Sequence, residues 1–230
     1  MRIINKKIIY FVVLLFILVG LGGVWERTKE EPTREKQEED ILYKSVMTTV
    51  FWVGENSDES NGFIPNHKSY WDSLWLEHYG GIDDPNDRCG YNPCAFIPKE
   101  NPFYFALPYG DRNEDGTQKD SVKLIPWYKN ISNKESQIKN VWIEIKYKNK
   151  ICYAQWEDVG PFEDDDFDYV FGKSEPKNIF GVSAGLDISP ATWDCLGMTD
   201  NAVTKWRFVE EKDVPEGPWK LIITKSSVSF

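Results

Sequence analysis

The 230-residue sequence predicts a mainly β protein, with six or more short strands closed around one helix into a small barrel. A loop-rich extension and one N-terminal transmembrane helix precede it. Three observations lead there. Residues 102–230 hold a succession of short β-branched and aromatic runs separated by turns. One stretch, residues 141–156, reads as a hairpin. Residues 8–25 form an apolar run behind a basic flank.

From the N-terminus, Arg2, Lys6 and Lys7 mark residues 1–7 as a cytoplasmic flank. Residues 8–25 carry no charge, and at 1.5 Å per residue they reach roughly 27 Å, close to a hydrocarbon thickness. Gly20-Leu21-Gly22 is a poor cleavage site, so the run is expected to remain as a signal-anchor rather than a removed signal peptide. The chain is then a single-pass protein of the cell membrane, its C-terminal part extracellular or periplasmic. Residues 26–40, charged and containing Pro32, read as a solvated stalk. Residues 41–101 form the extension. Within it, residues 48–53 read as a strand, and residues 69–79 as a short helix with Ser69 and Asp72 at its start and Gly80-Gly81 at its stop.

Residues 102–230 form the barrel domain. Strands are expected at 103–107, 123–127, 141–147, 151–156, 205–209 and 219–224. In the hairpin, Val141, Ile143, Ile145 and Tyr147 share one face, and Lys148-Asn149-Lys150 makes the turn. Across the turn, Cys152, Ala154 and Trp156 share a face, and the same alternation puts Asp158 at the end of their row, with Gln155 and Glu157 opposite. A carboxylate extending such a face is desolvated, which raises its pKa and suits it to hold a proton. Asp187 begins a similar unit, where Ser189 is the N-cap, Pro190 the first helical residue and Gly197 the stop.

Asp158-Val159-Gly160-Pro161-Phe162, Asp187-Ile188-Ser189 and Leu196-Gly197-Met198, followed by a strand at 205–209, resemble the double-psi β-barrel of the rare lipoprotein A family, and more distantly expansins and family-45 endoglucanases. The match covers roughly residues 141–209, and more loosely 103–224. The resemblance implies an extracytoplasmic domain that binds or remodels cell-wall glycan, peptidoglycan being the usual ligand. In its lytic members an Asp at the position of Asp158 works with an upstream His. The histidines here, His67 and His78, both precede the barrel region. Asp111 echoes the second carboxylate of the endoglucanases.

The candidate catalytic residues are therefore Asp158, Asp187 and Asp111, for a lytic transglycosylase or glycoside hydrolase with Asp158 as general acid. Each has a plainer role open to it, in a turn, a helix start or a solvated loop. A non-catalytic glycan-binding module and a structural surface protein are the other two readings. The partner is a cell-wall glycan or another polysaccharide. A net charge of −10 argues against nucleic acid. Ten Trp supply either a core or sugar-stacking faces.

No cofactor or metal is expected. Residues 111–116 match the first half of a calcium loop, but Val122 stands where an EF-hand needs Glu. Residues 163–168 form an acidic run whose default is a solvated loop. Cys89, Cys94, Cys152 and Cys195 suit an oxidising compartment and allow three pairings, among them a local Cys89–Cys94 bridge and a Cys152–Cys195 tie. Free thiols and a zinc site remain alternatives.

Overall fold

Period-two alternation builds six strands that close on one apolar interior. They are β1 (Lys44–Val50), β4 (Tyr104–Leu107), β5 (Trp142–Tyr147), β6 (Lys150–Val159), β7 (Leu186–Ile188) and β8 (Ala202–Val209). Around the barrel their order is β1-β7-β4-β6-β5-β8, and β8 pairs back onto β1. The β1–β7 and β4–β6 pairs are parallel and the rest antiparallel, which is compatible with a double-psi arrangement. The computed structural model describes residues 43–130, 132 and 135–226. The flank, the apolar run and the stalk expected over residues 1–40 lie outside the described residues. Among those described, no helix is long and apolar enough to cross a membrane.

The interior is filled by alternate residues of every strand: Val46, Phe105, Ile143 and Ile145, Ala154 and Trp156, Leu186 and Ile188, and Trp206. Two helices flank it, α2 (Phe167–Val170) and α3 (Pro190–Leu196). As expected, Ser189 caps α3 by accepting from Thr192 N at 3.2 Å, and Gly197 ends it with φ 63°. The disulfide Cys152–Cys195 ties β6 to α3. A second disulfide, Cys89–Cys94, closes the ribbon of β2 (Arg88–Cys89) and β3 (Asn92–Pro93).

Several expectations need correction. The barrel does not begin at residue 102: β1 lies inside the stretch read as extension, and the described residues make one compact unit. The rest of the extension forms a second apolar cluster, in which Phe51, Val53, Trp75 and Tyr79 pack on Tyr104 and Ala106, the outward residues of β4. Its helix is shorter than expected, α1 (Trp75–Tyr79), because the Asp72 carboxylate takes Leu74 N and holds the preceding residues in a turn.

Residues 123–127 are no strand. A 3-10 turn spans Asp120–Leu124, and Pro126 has no N–H to give a ladder. Residues 219–224 likewise start in a 3-10 turn at Pro218–Lys220. Thr224 then pairs its N–H and C=O with the Gln155 side-chain amide, a substitute for a neighbouring strand.

Candidate functional site

The register of β6 against β4 decides where Asp158 points. Phe105 faces Trp156, but the next residue, Ala106, faces Asp158, so Glu157 is one residue too many and the strand bulges there. The bulge resets the alternation. Asp158 leaves the row of Cys152, Ala154 and Trp156, where simple period two placed it, and joins Ala106 on the outer face. Glu157 remains buried and bonds Lys139 Nζ at 2.7 Å.

On β7, Asp187 pairs with the same Ala106, and on β1 Thr49 pairs with Asp187. Asp158, Ala106, Asp187 and Thr49 therefore form one row across four strands. The two acids sit two inter-strand spacings apart, about 9–10 Å at Cα. Between them Ala106 contributes only a methyl group, so the row has a shallow centre instead of a packed ridge.

Over this row lies a cleft of about 300 Å³, at the small end of ligand sites, which run from roughly 300 to 1,000 Å³. The loop after β1 walls one side with Trp52, Glu55, Asn61 and Asn66, and the Gly160-Pro161-Phe162 turn walls the other. Gly62 is needed where these walls meet: its φ is 63°, and a Cβ there would come within 2.9 Å of the Phe162 ring. Phe162 packs tilted against Phe180 at 4.4 Å between ring centroids, and both stay partly exposed, at 39% and 44%.

Three carboxyl groups line the cleft, and burial raises the pKa of each. Asp158 is pushed up to about 7 by burial, against the pull of Tyr70 N at 2.7 Å and Val159 N at 2.8 Å, with the charge of Asp187 adding to the rise. Glu55 is pushed up to about 7 by burial, opposed by Asn66 Nδ2 at 2.6 Å and by Asn61, and Asp187 again adds. Asp187 rises to about 6 through burial, opposed by the Thr49 hydroxyl that donates to its Oδ1. The charge of Asp187 acts on both of the others, so the three titrate as a coupled set and do not all ionise together near neutrality. A carboxyl protonated near neutrality beside one already ionised is the pairing that acid–base chemistry requires.

The structure brings Asp158 and Asp187 together but sends Asp111 elsewhere. Asp111 is fully buried and is occupied by Trp71 Nε1 at 3.0 Å, Ser136 Oγ at 2.6 Å and Gln137 N at 3.0 Å. Those bonds hold the 109–137 loops to the extension, so the expected third carboxylate is a structural bracket. Glu55 takes its place in the cleft. The signal that marks Asp158 and Asp187, an acid ending a strand with a turn or helix start behind it, does not reach Glu55, which follows Gly54 in a loop outside the motifs.

Neither histidine lines the cleft: His67 is exposed and His78 bonds Asp72 at 2.6 Å. In the calcium-like loop, Asp115 is engaged by Thr117 N and Oγ1. Among the described residues, no group of three or more His, Cys, Asp or Glu has the geometry to hold a metal ion. No protein-family model matches the chain, and no curated protein matches it.

Proposed function

We propose that this cleft binds a β-linked glycan and cuts or remodels it, in a membrane-anchored, extracytoplasmic protein similar to the rare lipoprotein A barrels. One observation carries the reading: Asp158 and Asp187 stand in register on either side of Ala106, on the open face of a closed barrel, beneath aromatic walls. Trp52 and Phe162 suit sugar faces, which stack on amphipathic or apolar rings. Asp158, protonated near neutral pH, gives its proton to the glycosidic oxygen as the C–O bond breaks. Asp187, ionised, steadies the positive charge that develops on the sugar and accepts a proton from the attacking hydroxyl or water. The two disulfides support an oxidising location.

A non-catalytic glycan-binding module is the second reading, favoured by the lack of a histidine among the described cleft residues. One experiment separates the two. Full-length protein is tested for retention on insoluble peptidoglycan and other β-linked polysaccharides, and for release of muropeptides or reducing ends. Retention with release, and release abolished in Asp158→Asn while retention persists, is the expected result. Retention with background release from both proteins leaves the binding module. Absence of retention on every glycan removes both.

A further inference from the structure

The residues that line the cleft include three acids and no Lys, Arg or His. Ion pairs hold other acids of this protein, such as Glu144 with Arg207 at 2.8 Å and Glu157 with Lys139. Here the internal partners are neutral donors alone: backbone N–H groups on Asp158, a hydroxyl on Asp187, amides on Glu55. Asp158 is the most telling of the three. Its side chain belongs to a residue only 8% exposed, and Oδ1 accepts two N–H bonds. Oδ2 has no hydrogen-bond partner among the described residues, yet it is not sealed from solvent, so its free side opens to the cleft.

Resting on the glycan reading above, we propose that the cleft selects a glycan bearing a free amine, whose ammonium sits against Glu55. The chemistry of the lining supports a cation of this kind over a metal ion. Carboxylates spread over a β1 loop, β7 and β6 do not converge on one metal, whose oxygen ligands must lie within about 2.0–2.6 Å. An ammonium has three N–H donors and bonds separate acceptors at about 2.7–2.9 Å, so a spread-out set suits it. It also relieves the mutual repulsion that Asp187 exerts on Glu55 and Asp158. Around it, Asn61, Asn66 and Ser60 offer amide and hydroxyl groups to ring hydroxyls, while Trp52 offers a ring face. Glu55 lies on a loop outside the three motifs of the barrel, so this preference belongs to the chain's own extension and not to the barrel itself.

The test measures binding of two β-1,4-linked oligosaccharides of equal length to the full-length protein by calorimetry. One is built of glucosamine and the other is its fully N-acetylated counterpart, at about pH 7, where amine and cleft carboxyls are each partly charged and pairing draws both to the charged form. The expected result is at least about a tenfold preference for the amine-bearing chain, the scale of one charge-assisted bond. Glu55→Gln keeps the Asn66 contact and the side-chain volume. It is expected to shrink the preference, read as the ratio of the two affinities, to under about threefold. Glu55→Asp, which restores the charge, is expected to recover part of the preference and guards against a folding defect in the first variant. Equal binding of both oligosaccharides by the wild type, or a preference that survives Glu55→Gln, overturns the amine proposal and leaves the glycan reading standing. Binding of neither oligosaccharide overturns both.

Discussion

At the residue scale, Asp158 and Asp111 show how two buried aspartates of one protein differ in kind. Asp111 accepts backbone and side-chain donors on both oxygens, whereas Asp158 accepts two backbone N–H groups on Oδ1 and leaves the other oxygen facing a cleft. The consequences for substitution are opposite. Asp111→Ala strips acceptors from Trp71 Nε1, Ser136 Oγ and Gln137 N at once, and orphaned buried donors cost about 1–3 kcal/mol each before relaxation. A net loss of about 3 kcal/mol in urea unfolding is expected. Asp158→Asn keeps an oxygen for Tyr70 N and Val159 N and removes a carboxyl that burial disfavours in its charged form. Its unfolding free energy at neutral pH is expected to equal or exceed that of the wild type. A large loss for Asp158→Asn together with a neutral Asp111→Ala would reverse the roles given to the two residues.

At the scale of elements, the strands that carry strong alternation were readable in advance: β5, β6 and β8 fall close to their expected places, as does the Ser189-capped helix. What alternation cannot convey is an inserted residue. Nothing in Gln155-Trp156-Glu157-Asp158 announces a bulge, because the extra residue is defined by the partner strand, and so alternation alone puts Asp158 on the wrong face. Glu55 is not marked in the sequence, because its loop carries no motif. The false strands at 123–127 and 219–224 have apolar residues of the right kind but no neighbour with free ladder positions.

The cysteine pairing, also beyond the sequence, now yields an expectation from loop length. Cys152–Cys195 spans 43 residues and joins β6 to α3, whereas Cys89–Cys94 spans 5 and closes a surface ribbon. Chain-entropy scaling gives about 4 kcal/mol for the longer loop and about 2 kcal/mol for the shorter. Denaturant midpoints of the paired Cys→Ala variants are expected to fall in that order. Equal midpoints would mean that unfolded-state entropy is not what the longer bridge controls.

At the scale of the whole molecule, the cleft opposes stability as pH rises. Asp158, Glu55 and Asp187 have folded-state pKa values of about 7, 7 and 6, above the ordinary values of 3.8, 4.5 and 3.8 that they regain on unfolding. Between those two sets the folded protein holds more protons than the unfolded chain, so unfolding stability falls as pH increases through that window. Below about pH 4 both states are protonated, and above about pH 7 both are ionised, so the change is confined between them. Glu144, which Tyr43 and Arg207 hold below its ordinary value, acts with the opposite sign but only at lower pH, where it begins to protonate. Water in an open cleft weakens each contribution to on the order of 1–2 kcal/mol. The wild type is therefore expected to resist urea better at about pH 5 than at about pH 8, by a few kcal/mol. The triple variant Asp158→Asn, Asp187→Asn, Glu55→Gln lacks all three groups, so its stability at the higher pH is expected to rise and its pH slope to shrink to what Glu157, also raised to about 7 by burial, and His78, raised by Asp72, still contribute. A wild type whose urea midpoint is flat or rises across this window would mean that the three carboxyls are not desolvated together, and the acid–base pairing of Asp158 with Asp187 would lose its physical basis.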